Sequence, residues 1–370
     1  RAVMYRAGIR ELRNNTGRYA SINYARACNI LREISRSYIG LYGPDEFVAG
    51  LAEPYFTDFL LIPTGLDELG GDSTLVLSAV LKESVSYRDG VAVLGGKFLS
   101  RFNIPKELPV AAAQFGLPPG KVEQLAYCSR MAAKIDSVAI QDGFDLYFHM
   151  MVLSMSGVWT IIQQSQNSLT QTVRRYHWFS GYLRNFVEEP HTGIISQERK
   201  PIVLDMTARE SSGCRKTSVE IIKMDLPKLQ RLRDYIHLDK QTRLTGEGEK
   251  ERVEFLMPRG NINWLLLSRL RENPPQDFEK MLAIQGVGRE IVKLLALGSM
   301  VYYDISPSFR DPAYLVDELP RYYDEAVVLS RLQQLVDSIR ESRLNPELKR
   351  HCLARLADNF GASEGVGLAG

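Results

Sequence analysis

The chain has 370 residues, 45% of them apolar and 24% charged, with 46 Lys and Arg against 44 Asp and Glu. That length suits two or three domains with a substantial core, and the balanced charge excludes both a wholesale basic nucleic-acid coat and an acidic disordered chain. Four cysteines without a Cys-x-x-Cys pair exclude a disulfide framework and a zinc ribbon, and no apolar run reaches the roughly 18 residues of a membrane span, so a reducing cytoplasmic setting is expected.

Helical spacing opens the chain over 19–40 and ends at Gly40, and a short helix restarts at Pro44 with acids in its first turn. An aromatic stretch, 53–64, ends near Pro63. A Gly and Asp loop, 64–74, leads into a helix over 73–85. VAVLGG, 91–96, reads as a short buried strand closed by two glycines. Residues 100–120 hold four prolines and read as a surface connection. The Ala-rich run 121–140 is the strongest helix signal of the first half. The period then changes. Residues 144–166 read as two strands turning at Met155-Ser156-Gly157, and 200–208 as another strand. Helices follow at 212–224 and 226–236. Residues 238–252 are polar and read as an exposed loop. From 260 onward the pattern is helical, with loops at 272–276 and 304–320 and a disordered tail at 361–370.

The expected fold class is α+β. A mixed domain over 1–237 carries a small sheet and a polar pocket, a polar linker covers 238–259, and a helical domain covers 260–360. The charge is uneven along this division. Residues 1–169 are neutral, 170–271 carry an excess of six positive charges, and 272–370 an excess of four negative ones.

Residues 277–297, DFEKMLAIQGVGREIVKLLAL, have the pattern of a helix-hairpin-helix. Gly286 and Gly288 allow a tight turn with close backbone approach, Val287 plugs the helix pair, and the second helix offers its unpaired N–H groups to a phosphate. Arg289 and Lys293 would flank that phosphate. Contacts of this kind reach the backbone and read no bases. The Lys that follows the hairpin in bifunctional DNA glycosylases is replaced by Glu290, which argues against glycosylase chemistry.

Residues 130–191 concentrate polar side chains within apolar segments: Arg130, Lys134, Asp136, Gln141, Asp142, His149, Gln163, Gln164, Arg174, Arg175, His177, Glu188, Glu189 and His191. Buried polar groups must find partners, so these form either a core network or a site. The string Arg174-Arg175-Tyr176-His177-Trp178 mixes cations with rings, which suits a nucleotide or a single strand. Glu188, Glu189 and His191, with Asp142, would hold a divalent metal, Mg or Mn.

The segments MAAKIDSVAIQDGFDLYFH, GVWTIIQQSQN, RRYHW, FVEEPHTGI, LAIQGVG and SPSFRDP are similar, in order, to the archaeal and thermophilic-bacterial family known as domain of unknown function number seven hundred sixty-three. The resemblance spans roughly 8–312. It implies a DNA-processing protein, with some members regarded as nucleases on single-stranded or imperfectly paired DNA, and its motifs carry the polar residues named above. Three loops depart from the family pattern: RELRNNTGRYA, LDELGGDST and the segment after Arg310-Asp311-Pro312.

The expected function is therefore structure-selective DNA binding with metal-dependent hydrolysis. Lys134, Asp142, His177, Glu188 and Glu189 would be catalytic. Asp142, Glu188, Glu189 and His191 would ligate the metal. Gly286, Val287, Gly288, Arg289, Lys293, Arg174 and Arg175 would contact DNA. The alternatives are a non-catalytic DNA-binding subunit of a repair or chromatin assembly, and an RNA-binding face on the basic middle segment.

Overall fold

A computed structural model describes residues 24–96, 104–238, 247–315 and 324–360. The fold is α+β. Its centre is a six-stranded sheet in the order β1-β3-β4-β5-β6-β8, antiparallel except for the last pair. The strands are β1 (Val91–Gly95), β3 (Asp145–Ser154), β4 (Trp159–Gln166), β5 (Val173–Phe179), β6 (His191–Ser196) and β8 (Tyr314–Leu315). A separate two-stranded ladder pairs β2 (Ile140–Gln141) with β7 (Leu204–Asp205). The hairpin expected at 144–166 is β3–β4, and Gly157 takes the positive φ (88°) its turn requires.

Strand alternation divides the core into two layers. Ala92, Leu94, Met151, Leu153, Ile161, Tyr176 and Trp178 face one cluster of buried side chains. Val91, Phe148, Met150, Val152 and Ile162 face another. The second cluster is closed by α1 (Tyr24–Tyr42), α2 (Pro44–Leu51), α3 (Pro54–Thr64) and α4 (Ser73–Ser84), with α13 (Glu325–Glu341) and α14 (Pro346–Phe360) from the far end of the chain. The first is closed by α5 (Ile104–Phe115), α6 (Pro119–Lys134), α7 (Ser212–Ile222), α8 (Leu226–Leu238), α9 (Glu247–Leu256), α10 (Trp264–Glu272), α11 (Phe278–Ala283) and α12 (Arg289–Tyr303). Both clusters draw residues from either side of the 238–259 segment.

Three local expectations change. The proline-rich connection contains helix α5. Pro105 lies in its first turn, where a missing N–H costs nothing, and Ile104, Leu108, Ala111 and Ala112 bury one face. The strand expected over 200–208 shrinks to Leu204–Asp205, because only those two residues meet a partner strand. The polar segment after 238 holds α9, which buries Val253 and Leu256 despite its charged surface. The expected tail at 361–370 lies outside the described residues.

The most heavily buried charge is Arg174 on β5. Its Nη1 donates to Asp142 at 2.6 Å and its Nη2 to Asp311 at 2.7 Å, and the guanidinium lies 4.5 Å from the centre of the Phe144 ring. Asp142 also accepts from the Phe144 N–H and the Tyr176 hydroxyl, and Asp311 from the Lys200 N–H. This triad fastens the 308–312 segment to the sheet. Removing one member leaves a buried charge uncompensated. Arg174→Met is expected to cost about 3–5 kcal/mol in denaturant unfolding. Adding Asp142→Asn and Asp311→Asn is expected to restore part of that loss.

Candidate functional site

Strand β5 splits the Arg-Arg-Tyr-His-Trp string between the two faces of the sheet. Arg174, Tyr176 and Trp178 point into one layer. Arg175 and His177 point into the other, where Arg175 donates to Asp58 (3.1 Å) and the Pro54 carbonyl (3.3 Å), and His177 Nδ1 donates to the Leu51 carbonyl (3.1 Å). The expected stacking platform is therefore not a platform. Arg174, His177 and Trp178 are sealed in the interior.

What the cluster does form is a directional hydrogen-bond chain between the sheet and α6. Helix α6 continues as a single π-helical turn, Ile135–Ala139, which turns Asp136 inward. Asp136 is 2% exposed and accepts from three successive strands: Gln163 Nε2 on β4 (2.5 Å), Trp178 Nε1 on β5 (2.9 Å) and His191 Nε2 on β6 (2.6 Å). A bulge between His177 and Trp178 brings His191 opposite Trp178, with their rings 4.4 Å apart edge to face. Gln163 Oε1 accepts from His149 Nδ1 (2.6 Å), whose Nε2 accepts from the Ser129 hydroxyl (2.9 Å). The donors fix the tautomers. An amide N–H and an indole N–H can only donate, so Asp136 acts as a carboxylate acceptor and His191 carries its proton on Nε2.

His191 also lines an open cleft of about 600 Å³. The cleft runs between β6, the 205–210 turn and the 308–314 segment, and Asp205, Thr207, Arg310, Asp311 and Tyr314 share its wall. Asp205 Oδ1 accepts from the N–H groups of Thr207 and Ala208 and from the Thr207 hydroxyl. Burial pushes its carboxyl up, against those hydrogen bonds and the nearby His191. Two of the motifs that carry the family resemblance, FVEEPHTGI and SPSFRDP, meet in this cleft. Sequence reasoning missed Asp205, although it interrupts the apolar run 202–206, and Arg310, which lies in a polar loop. The SPSFRDP motif was the available signal.

The four expected metal ligands do not converge. Asp142 pairs with Arg174, Glu188 with Arg215, Glu189 with Arg209 at 2.9 Å, and His191 with Asp136. Among the described residues no group of three His, Cys, Asp or Glu side chains is placed to hold a metal ion. The divalent-metal expectation does not fit these residues. Lys134 ends α6, half-buried, with its ammonium pushed down by burial. Arg130 is exposed on the same helix. Gln164 donates to Tyr147, and Gln141 donates to the carbonyls of Val138 and Arg289.

The segment 277–297 forms two helices around a tight turn. Asp277 caps α11 by accepting from the Lys280 N–H (2.7 Å). Gly286 has φ +93°, which favours glycine, and a Cβ there would crowd the end of the Leu266 side chain at 3.0 Å. Val287 is fully buried, as its plug role demands. Helix α12 starts after Gly288 with no side-chain cap. Arg289 does not reach outward. Its Nε donates to the Ser137 carbonyl (2.6 Å), Nη2 to the Phe144 carbonyl (2.9 Å) and Nη1 to Asp145 (2.8 Å). Lys293 lies 4.9 Å from the centre of the Phe255 ring, and burial pushes its ammonium down.

The family described as protein of unknown function (DUF763) matches residues 8–320. The chain belongs to that family. A search of curated proteins and a search of solved structures each found no match. Among the described residues no helix is long and apolar enough to cross a membrane.

Burial pushes the imidazoles of His149 and His177 down, His177 strongly, with the Arg175 charge adding to it. Each resists protonation in the folded protein while the unfolded chain takes up a proton as pH falls through 6.5. Stability contributed by neutral burial is therefore present above pH 6.5 and falls below it until the lowered folded pKa is reached, at up to about 1.4 kcal/mol per pH unit for each histidine. His177→Asn is expected to flatten this slope by about half. Denaturant unfolding of wild type and variant at pH 7.5 and 5.5 checks it, the difference between the two proteins isolating His177 from the carboxylates.

Proposed function

We propose that the protein binds DNA, single-stranded or distorted, along its phosphate backbone and without reading sequence. The observation that carries this reading is the uncapped start of α12 behind an exposed glycine turn. The first N–H groups of a helix have no intrahelical acceptor, and the helix dipole adds positive potential at the same end. Gly288 presents these groups without a side chain in the way: a Cβ there would meet nothing within 4 Å. Arg259 is exposed and close enough to Lys293 to act on its charge, as is Arg289. Glu290, in the first turn of α12, acts on Lys293 in the opposite sense and Arg289 is paired with Asp145, so the phosphate site rests on the helix N–H groups with the exposed Arg259 beside them. Arg289 serves here as a positioning residue. It holds the start of α12 against 137–145, so the N–H groups keep a fixed direction.

This reading keeps Gly286, Gly288 and Lys293 at the DNA contact, with Val287 buried beneath the turn. It excludes Arg174, which no ligand can reach in the folded protein. A binding role without metal chemistry agrees with the dispersed carboxylates, and it accommodates a place as one subunit of a larger DNA-processing assembly.

Gly288→Asp is the sharpest test. An Asp at this position caps the helix and satisfies the N–H groups it would otherwise offer to phosphate. The variant is expected to unfold at equal or higher denaturant concentration, yet to bind a single-stranded oligonucleotide at least ~10-fold more weakly in fluorescence anisotropy. Arg259→Ala is expected to weaken binding alike on unrelated sequences and to reduce the salt slope by about one. Unchanged affinity in Gly288→Asp sinks the reading.

A further inference from the structure

The connection between β4 and β5 presents one apolar side chain to solvent. Leu169 is 92% exposed, more than any other large apolar side chain among the described residues, and its neighbours Ser168, Thr170 and Gln171 are polar. The backbone beneath it is held fast. The buried Asn167 accepts on Oδ1 from the N–H groups of Leu169 (2.9 Å) and Thr170 (3.3 Å), and on its carbonyl from the Gln171 N–H (2.8 Å). Its own N–H donates to the Thr172 carbonyl (3.0 Å). The Thr170 and Thr172 hydroxyls donate to Glu198 (2.7 and 2.8 Å), which is paired with Lys200. Gln171 takes a positive φ of 59° and donates from its side chain to the Ser168 carbonyl (2.6 Å). A loop bonded in this way loses little freedom when its tip is covered, so the apolar gain of covering Leu169 goes to the guest.

The tip stands at the end of the sheet that meets the start of α12. Arg289 donates to Asp145 (2.8 Å) and to the Phe144 carbonyl (2.9 Å), Asp145 is the register partner of Gln166, and a Cβ on Gly143 would lie 3.7 Å from the Asn167 amide. Three residues lead from Gln166 to Leu169 and span about 11 Å at most. With the strand spacing and the Asp145–Arg289 contact included, Leu169 lies within about 25 Å of the Arg289 guanidinium, the length of about seven base pairs. A duplex held by its backbone at Gly288 is long enough to reach the tip. The carboxylates between the two points are matched, Asp145 by Arg289 and Glu198 by Lys200.

We propose that Leu169 is a wedge that enters a weakened base step of the bound DNA, so that the protein prefers duplexes carrying a mismatch over matched ones. The proposal rests on the backbone-binding reading and names its substrate class. A leucine entering between bases unstacks and kinks the step. The free energy this costs is smallest where pairing is already broken. Phosphate contacts at α12 carry no information about the bases, so discrimination falls to the wedge.

The experiment uses the full chain and two duplexes of one sequence, one matched and one with a single central mismatch, each carrying 2-aminopurine beside the centre. Anisotropy of an end label reads affinity, and 2-aminopurine emission reads unstacking. Wild type is expected to bind the mismatched duplex about 10-fold more tightly than the matched one, with a rise in emission on the mismatched duplex. Leu169→Ser changes an exposed side chain on a backbone held by Asn167. It is expected to bring the two affinities within about 2-fold of each other and to abolish the emission rise, while binding the matched duplex as wild type does. Leu169→Met is expected to keep both the preference and the rise, because Met is a wedge of similar volume. Equal affinity of wild type for the two duplexes overturns the wedge alone. So does an unchanged preference and emission in Leu169→Ser, or a chain that holds a single strand and neither duplex. A chain that binds no strand of any kind overturns the backbone reading as well.

Discussion

Asp136 carries its charge into a place water does not reach, and the sheet is arranged around keeping it there. A buried carboxylate is tolerated only when its lone pairs are filled. Asp136 fills them from β4, β5 and β6 in turn, through Gln163, Trp178 and His191. Each donor is on the same face of its strand, so a one-residue slip in any of the three would turn its donor away and leave the charge bare. The network therefore pins register as well as satisfying polarity. The π-helical turn at 135–139 is the matching feature on the helical side, since an α-helix continued through Asp136 would aim the following residues differently.

Much of the fold was legible in the sequence because periodicity reports burial. The hairpin at 144–166, the helices at 44, 73 and 121, and the pair around Ile284–Gly288 all follow from spacing and glycine chemistry. The extent of the sheet was not legible. Strands β5 and β6 are too polar to read as core, since Arg174, His177 and His191 sit where apolar residues are expected. They are tolerated because each meets a partner far away in sequence: Asp311 for Arg174, Leu51 for His177 and Asp136 for His191. Of the two readings open for the polar cluster at 130–191, a core network or a site, the structure joins Ser129, Asp136, His149, Gln163, Trp178 and His191 into a network. Adjacent residues on a strand face opposite ways, so Arg174 and Arg175 cannot act together, and neighbours such as Glu188 and Glu189 find separate arginines.

The basic excess of 170–271 has a similar explanation. Arg174 is matched by Asp142 and Asp311, and Arg175 by Asp58, all outside that segment. Local net charge overstates the field when its cations are matched by acids from elsewhere in the chain. The potential that matters at the start of α12 comes from fewer groups. There the N–H groups open the helix without a side-chain cap, and Arg259, from the basic middle segment, stands close to Lys293 of the acidic C-terminal third.

The segment 135–145 joins these two regions. Its inner side holds Asp136, and with it the orientation of His191 on the cleft. Its outer side is gripped by Arg289, whose three donors reach Ser137, Phe144 and Asp145. Gln141 closes the same contact from the other direction by donating to the Arg289 carbonyl. A load on the start of α12 is therefore passed to the turn that sets the Asp136 carboxylate, with no flexible connection between them. Replacing Arg289 by a residue of equal length but a single point charge would keep one of these contacts and lose the fork that makes the joint rigid. The hairpin and the cleft are in this sense two faces of one mechanical unit, although 277–297 and 186–194 lie far apart in the chain.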